Sequence, residues 1–232
     1  MTRTLLHRLR QGLALLLLAG LLWQGWYLGW VLWWKFMDPG STSFMARRLG
    51  EMQEKNPKAE IRHFWVPYSR ISNHLKRAVV AAEDDRFVDH EGFDWEGMQK
   101  ALEKNQKKGR VVAGGSTISQ QLAKNLFLSA AKTPWRKAQE AVITVMIETC
   151  WGKRRILEVY LNSVEWGEGI FGAEAAARRY YRGSATALGP EQAARLAVML
   201  PAPRRFEKNP YSPYVNGRTQ LILGRMGSAE VP

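Results

Sequence analysis

Residues 72–94 read Ser72-Asn73-His74-Leu75-Lys76-Arg77-Ala78-Val79-Val80-Ala81-Ala82-Glu83-Asp84-Asp85-Arg86-Phe87-Val88-Asp89-His90-Glu91-Gly92-Phe93-Asp94. Leu75, Val79 and Glu83 recur every four residues beside Ala78 and Ala82, which places all five on one stripe of a helix capped by Ser72. Glu83 stands at the edge of that apolar stripe. Partial desolvation there raises a carboxyl's pKa toward that of a useful general base. The residues that follow form a dense acidic cluster at the helix end. A solvated helix terminus explains the same segment. A metal site fits less well, because all the oxygens come from one short stretch.

Working outward, the pattern stays helical, with little strand alternation. Gly114-Gly115-Ser116 leads into a helix running to about Phe127. Thr133-Pro134 is an N-cap with proline at the first helical position, opening a helix to about Trp151. Lys153–Asn162 and Gly172–Tyr181 follow, the latter stopped by Gly183. Gly189-Pro190 opens a helix ended by Pro201, and Ser212-Pro213 opens the last one. The expected fold is mainly α, preceded by one membrane helix. Its parts are a tail at 1–11, a transmembrane helix at 12–34, a polar, amphiphilic neck at 35–60, a domain at 61–226 and a tail at 227–232.

The membrane helix rests on residues 12–34, which carry no charge and only one strongly polar side chain, Gln24. At about 1.5 Å per residue they reach roughly 35 Å, enough for a ~30 Å hydrocarbon core. Arg3, Arg8 and Arg10 precede the run, so the positive-inside rule places the N-terminus in the cytoplasm. Trp23, Trp26, Trp30, Trp33 and Trp34 crowd the outer half as an interfacial belt. A cleaved signal peptide is disfavoured by the length of the run and the lack of a clear small-x-small site after it. Gly25-x-x-x-Gly29 is a spacing found by chance in many spans.

With 232 residues, 46% hydrophobic and 24% charged, the chain is long enough and apolar enough for a real core. The lone Cys150 excludes an internal disulfide framework and reads as a core residue. The net charge of +13 calls for an anionic partner, and the part beyond the anchor still carries +10. Nucleic acid is excluded on two grounds: the domain lies outside the membrane, and its cations are dispersed. A membrane surface or a phosphate-bearing substrate remains. The lysine-rich 104–110 stretch reads as mobile and able to touch anionic headgroups.

Two more segments carry chemistry. Gln120, Gln121 and Lys124 share a polar arc opposite Leu122 and Leu126, suited to sugar hydroxyls and phosphate, although an ordinary amphipathic helix explains it almost as well. Arg136 and Lys137 lie in the first turn of a helix, where cations oppose its dipole, and Arg136 before Glu140 is the poorer ion-pair order. Breaking a local rule in this way suggests a site. Free first-turn amides, the dipole and two cations would together make an anion receptor suited to pyrophosphate. Two motif matches fail. Gly167-Glu168-Gly169-Ile170-Phe171-Gly172 follows a helical pattern rather than a strand, so it is no dinucleotide loop. Ser129-Ala130-Ala131-Lys132 lacks the Lys-Thr-Gly partner of penicillin-binding transpeptidases.

Taken together, these segments resemble the peptidoglycan glycosyltransferase family, and within it the monofunctional biosynthetic transglycosylases. The family's first motif, Glu-Asp-x-x-Phe-x-x-His-x-Gly-x-Asp, is matched by Glu83 to Asp94. Its second, Gly-x-Ser-Thr-Ile-x-Gln-Gln-x-x-Lys-Asn, is matched by Gly114 to Asn125. The third, Arg-Lys-x-x-Glu, is Arg136 to Glu140. The fourth, Lys-x-x-Ile-Leu-x-x-Tyr-Leu-Asn, is Lys153 to Asn162. Arg195-Leu196-Ala197 through Leu200-Pro201 resembles the fifth. The resemblance covers roughly residues 65–205, in order.

It implies a lysozyme-like, two-lobed helical domain with a hydrophobic flap that dips into the membrane. It also implies polymerisation of lipid II into β-1,4-linked glycan strands at the periplasmic face of the inner membrane, releasing undecaprenyl diphosphate. Carried over, Glu83 is the general base and Glu140 the second catalytic carboxylate. Gln121, Lys124, Arg136 and Lys137 are diphosphate contacts, and Lys153 and Asn162 shape the cleft. Asp84, Phe87, His90, Ser116, Thr117 and Asn125 complete the substrate-binding set. The sequence requires no cofactor. Some family members use a divalent metal, magnesium or manganese, for which Glu140 is the candidate ligand here. The implied partners are lipid II, the growing glycan strand and the membrane, with other cell-wall synthases or divisome proteins left open. Two rival readings stand beside this one: a lytic enzyme of lysozyme-like fold, and a non-catalytic, membrane-tethered wall-binding factor.

Overall fold

In the computed structural model the described residues are 2–110, 114–131 and 133–232, with only the backbone described for residues 2–4. Helix α1 (Thr2–Trp34) is the one helix among them long and apolar enough to cross a membrane. The rest is mainly helical: α2 (Ser43–Gln53), α3 (Asn73–Glu83), α4 (Trp95–Lys108), α5 (Ile118–Phe127), α6 (Pro134–Cys150), α7 (Lys153–Ser163), α8 (Ala173–Tyr181), α9 (Pro190–Met199), α10 (Pro203–Phe206) and α11 (Pro213–Arg225). Short strands β1 (Arg62–His63), β2 (Glu165–Gly167) and β3 (Ile170–Phe171) form a sheet in the order β1-β3-β2. β3 runs parallel to β1 and antiparallel to β2.

The expected caps are in place. Ser72 accepts from the His74 amide, Thr133 from the Arg136 amide and Ser212 from the Val215 amide, with Pro134 and Pro213 opening their helices. Thr117 and Gln120 close a reciprocal capping box at the start of α5. The core lies where α3 packs on α9 and α11, and where α5 packs on α6 and α7. Leu75, Ala78 and Val79 of α3 are fully buried, as are Ala193, Ala194 and Leu196 of α9. The alanines let the two helices approach closely, and each buried leucine contributes ~2 kcal/mol.

The structure corrects three expectations. Residues 43–53 of the neck are helix α2, whose Arg48 reaches the buried Glu165 at 3.1 Å while Phe44 packs edge-on against Phe171. Lys104–Lys108 continue α4, a helix capped by Asp94 and closed by Gly109 at φ +61. Helix α8 ends at Tyr181 as expected, but its left-handed stop is Arg182, at φ 52, rather than Gly183. Gly167 to Gly172 form a hairpin after α7, unlike a dinucleotide loop. Cys150 is half-buried against the core. Lys132 of the rejected Ser-x-x-Lys match lies outside the described residues.

Candidate active site

Glu83 is the last residue of α3, half-buried where the apolar stripe ends. Gln121 of α5 donates its Nε2 to Glu83 Oε2 at 2.8 Å, and Tyr160 of α7 donates its hydroxyl to Gln121 Oε1 at 2.9 Å. Because a carboxylate only accepts, the amide nitrogen faces Glu83, which leaves the amide oxygen for the Tyr160 hydroxyl. Burial raises the Glu83 pKa above the ordinary carboxyl range. The Gln121 hydrogen bond and the Lys124 charge pull it back, and neighbouring Asp84 adds to the rise. Burial also lifts the Tyr160 phenol well above its usual value, helped by the charges of Glu83 and Asp84, so its hydroxyl stays a donor.

Asp84 holds this arrangement together. Its Oδ2 accepts the Ile118 amide at 2.9 Å, tying the end of α3 to the start of α5. Its Oδ1 meets His90 Nε2 at 2.9 Å, and His90 Nδ1 accepts the Gly92 amide at 3.1 Å, so the histidine proton sits on Nε2. Thr117 Oγ1 donates to Gly92 O at 2.7 Å, and Lys153 Nζ binds Glu148 at 2.9 Å and the His90 carbonyl. Phe87 is fully buried under the Lys153 ammonium, 4.7 Å from its ring centre. Asn162 is buried too, exchanging hydrogen bonds with the Val66 backbone at 2.9 Å each way. Asn125 is likewise buried. The structure thus buries Asp84, Phe87, Thr117, Asn125 and Asn162 and half-buries His90 and Lys153, with Asp84 and Thr117 also lining the cavity beside Glu83.

The cationic group gathers around Glu140, which is buried on α6. Arg136 Nη1 and Lys137 Nζ each take one of its oxygens in close ion pairs, and Lys137 also reaches the exposed Ser116 Oγ at 3.4 Å. Lys124 adjoins both carboxylates. Burial and the charges of Arg136 and Lys137 lower its pKa, against the pull of Glu140 and Glu83. The expected open helix terminus is reduced, because Pro134 has no N–H and Thr133 Oγ1 takes that of Arg136 at 3.2 Å. What remains for an anion is side-chain charge. The residues do not fit a resident divalent ion at Glu140, since both its oxygens are engaged by cations. Among the described residues no three His, Cys, Asp or Glu converge on a metal position.

Beside Glu83 opens a cavity of about 260 Å³ lined by Asp84, Asp94, Met98, Lys100, Ser116 and Arg225 among others. At ~30 Å³ per water this is room for a sugar-sized polar group. Gly115 closes one wall; a Cβ there would stand 3.2 Å from the Met98 backbone. Two residues joined the site only in three dimensions: Tyr160, inside the fourth motif on a core-facing stripe, and Gln139, treated below.

A half-buried carboxyl of raised pKa thus stands beside Lys124 and its cationic neighbours on a mainly helical domain. The family model described as Transglycosylase matches residues 49–227, and the chain belongs to that family of glycosyltransferases. A biosynthetic peptidoglycan transglycosylase of Aromatoleum aromaticum is 66% identical over 95% of this chain and 96% of its own. The protein of the same description from Azoarcus sp. is 68% identical over 91% of each chain, and that of Dechloromonas aromatica 63% identical over 94% and 96%.

Proposed function

We propose that this enzyme polymerises lipid II into β-1,4-linked peptidoglycan strands, releasing undecaprenyl diphosphate with inversion at C1 of the donor MurNAc. The observation that carries the reading is the position of Lys124 between Glu83, held by a neutral amide, and the Arg136–Lys137–Glu140 cluster. Its kinship with biosynthetic peptidoglycan transglycosylases supports peptidoglycan as the product.

Glu83 takes the proton from the acceptor GlcNAc 4-hydroxyl as that oxygen attacks the donor C1. A raised pKa makes it a stronger base than an exposed glutamate. The diphosphate departs as a stable anion and so needs charge stabilisation rather than a proton. A glycosidase, which must protonate an alkoxide, needs a second carboxyl in acid form. Glu140 is not placed as such an acid: Arg136 and Lys137 each engage one of its oxygens. Its role is to orient Arg136 and Lys137, with Lys124, toward the diphosphate. Gln121 and Tyr160 aim the base.

The substrate is lipid-linked, and α1 supplies the anchor. The arginines before the span support a cytoplasmic N-terminus, and with the family they support a catalytic domain on the periplasmic face of the inner membrane. Incubating the purified protein with lipid II and sizing the products tests the reading. Long glycan strands support it; fragments released from wall sacculi in place of strands, or no conversion, contradict it.

A further inference from the structure

Gln24 is the one strongly polar side chain in the apolar run 12–34. Gln24 lies in the outer half of that run, between Trp23 and Trp26 of the interfacial belt. Its amide, half-buried where the anchor meets α6, needs a hydrogen-bond partner. Gln139 of α6 supplies it. Gln24 Nε2 donates to Gln139 Oε1 at 2.9 Å, and Gln139 Nε2 donates back to Gln24 Oε1 at 3.0 Å.

The pair sits where docking begins. From Leu5 to Trp23 every anchor side chain is exposed, whereas Gln24, Tyr27, Val31 and Trp34 form one stripe against the domain. Tyr27 packs edge-on to Phe127 of α5, and Trp151 donates its indole N–H to the Val31 carbonyl at 2.7 Å. The outward stripe of α6 (Trp135, Ala138, Val142, Val145 and Thr149) is exposed and uncharged, as a lipid-facing edge must be. Gln139 is buried and directly precedes Glu140, on which Arg136 and Lys137 converge.

We propose that Gln24 and Gln139 are positioning residues: their reciprocal amide pair fixes the rotation and depth of the anchor on α6, and so holds the Arg136–Lys137–Glu140 cluster at the membrane level of a lipid-borne diphosphate. The anchor is thereby a working part of the catalytic domain as well as a tether. The functional half of this inference rests on the polymerase reading above.

The test uses the full-length protein in membranes. Gln24→Leu makes the span more apolar, so insertion is not weakened. The membrane-bound fraction should stay unchanged while strand formation from lipid II falls roughly fivefold, the effect of stranding one buried amide between helices. In a Cys150→Ala background, the Gln24→Cys/Gln139→Cys pair should be bridged by a one-carbon bis-methanethiosulfonate, which links thiols through reducible disulfides. The bridge should raise polymerisation several-fold over the same sample after reduction. Trp26→Cys paired with Gln139→Cys should not bridge, because Trp26 points away and is exposed. Failure of the first pair to bridge, or Gln24→Leu polymerising at the wild-type rate, overturns the lock. Bridging by the double-cysteine protein together with a wild-type protein that makes no strands from lipid II overturns the polymerase reading instead.

Discussion

Glu83 and Glu140 are held in opposite ways: the first accepts a hydrogen bond from the neutral amide of Gln121 at 2.8 Å, and the second is clamped between the guanidinium of Arg136 and the ammonium of Lys137. On the proposed mechanism the two divide the work: the first takes a substrate proton and the second places cations.

The pH–rate profile should report the first. Glu83 must be ionised to act, and burial raises its pKa, so kcat/KM should fall on the acid side at a pH above the ordinary glutamate range. The Gln121 hydrogen bond opposes that rise. Gln121→Leu should therefore move the acid limb to higher pH. An acid limb left in place, measured with lipid II across a pH series, contradicts the assignment.

Tyr160→Phe should lower turnover by roughly tenfold with little change in KM, since it removes only the hydroxyl that fixes the Gln121 amide. A phenylalanine fits the same core position, so the melting temperature should hardly move. Unchanged kcat would remove Tyr160 from the positioning role.

Arg136→Ala should weaken binding of diphosphate-bearing donors by about tenfold to a hundredfold while sparing uncharged glycan. Calorimetry with the two ligand types separates these outcomes. Equal losses for both would count against a diphosphate site.

Asp84→Ala should act on stability first. The buried carboxylate ties the Ile118 amide and His90 together, and losing both bonds costs about 2 kcal/mol, or roughly 5 °C in melting temperature. A melting temperature equal to wild type would show that the α3–α5 junction does not depend on it.

Much of this was legible in the chain. The caps at Ser72, Thr133 and Ser212 act over two or three residues, and the placement of Glu83 at the end of an apolar stripe follows from helical periodicity alone. Helix α2 escaped because its anchor is distant: Arg48 pairs with Glu165, far along the chain. Helix α4 was legible in principle, from Asp94 as its cap and Gly109 as its left-handed stop, but its lysines masked a stripe with only Ala101 buried. The spacing of Arg136 and Lys137 to Glu140 was visible. That the glutamate is buried and consumes both cations depends on how α6 packs. Gln24 read as a lone flaw in the anchor until Gln139 stood opposite it.

The most direct measurement is single-turnover strand formation from lipid II by Glu83→Gln beside wild type, with lipid II binding measured on the same preparations. The isosteric amide keeps the shape and removes the base. Strand formation should drop by at least about a thousandfold with binding within twofold of wild type. Turnover comparable to wild type, at equal binding, would contradict the assignment of Glu83 as the group that takes the acceptor's proton.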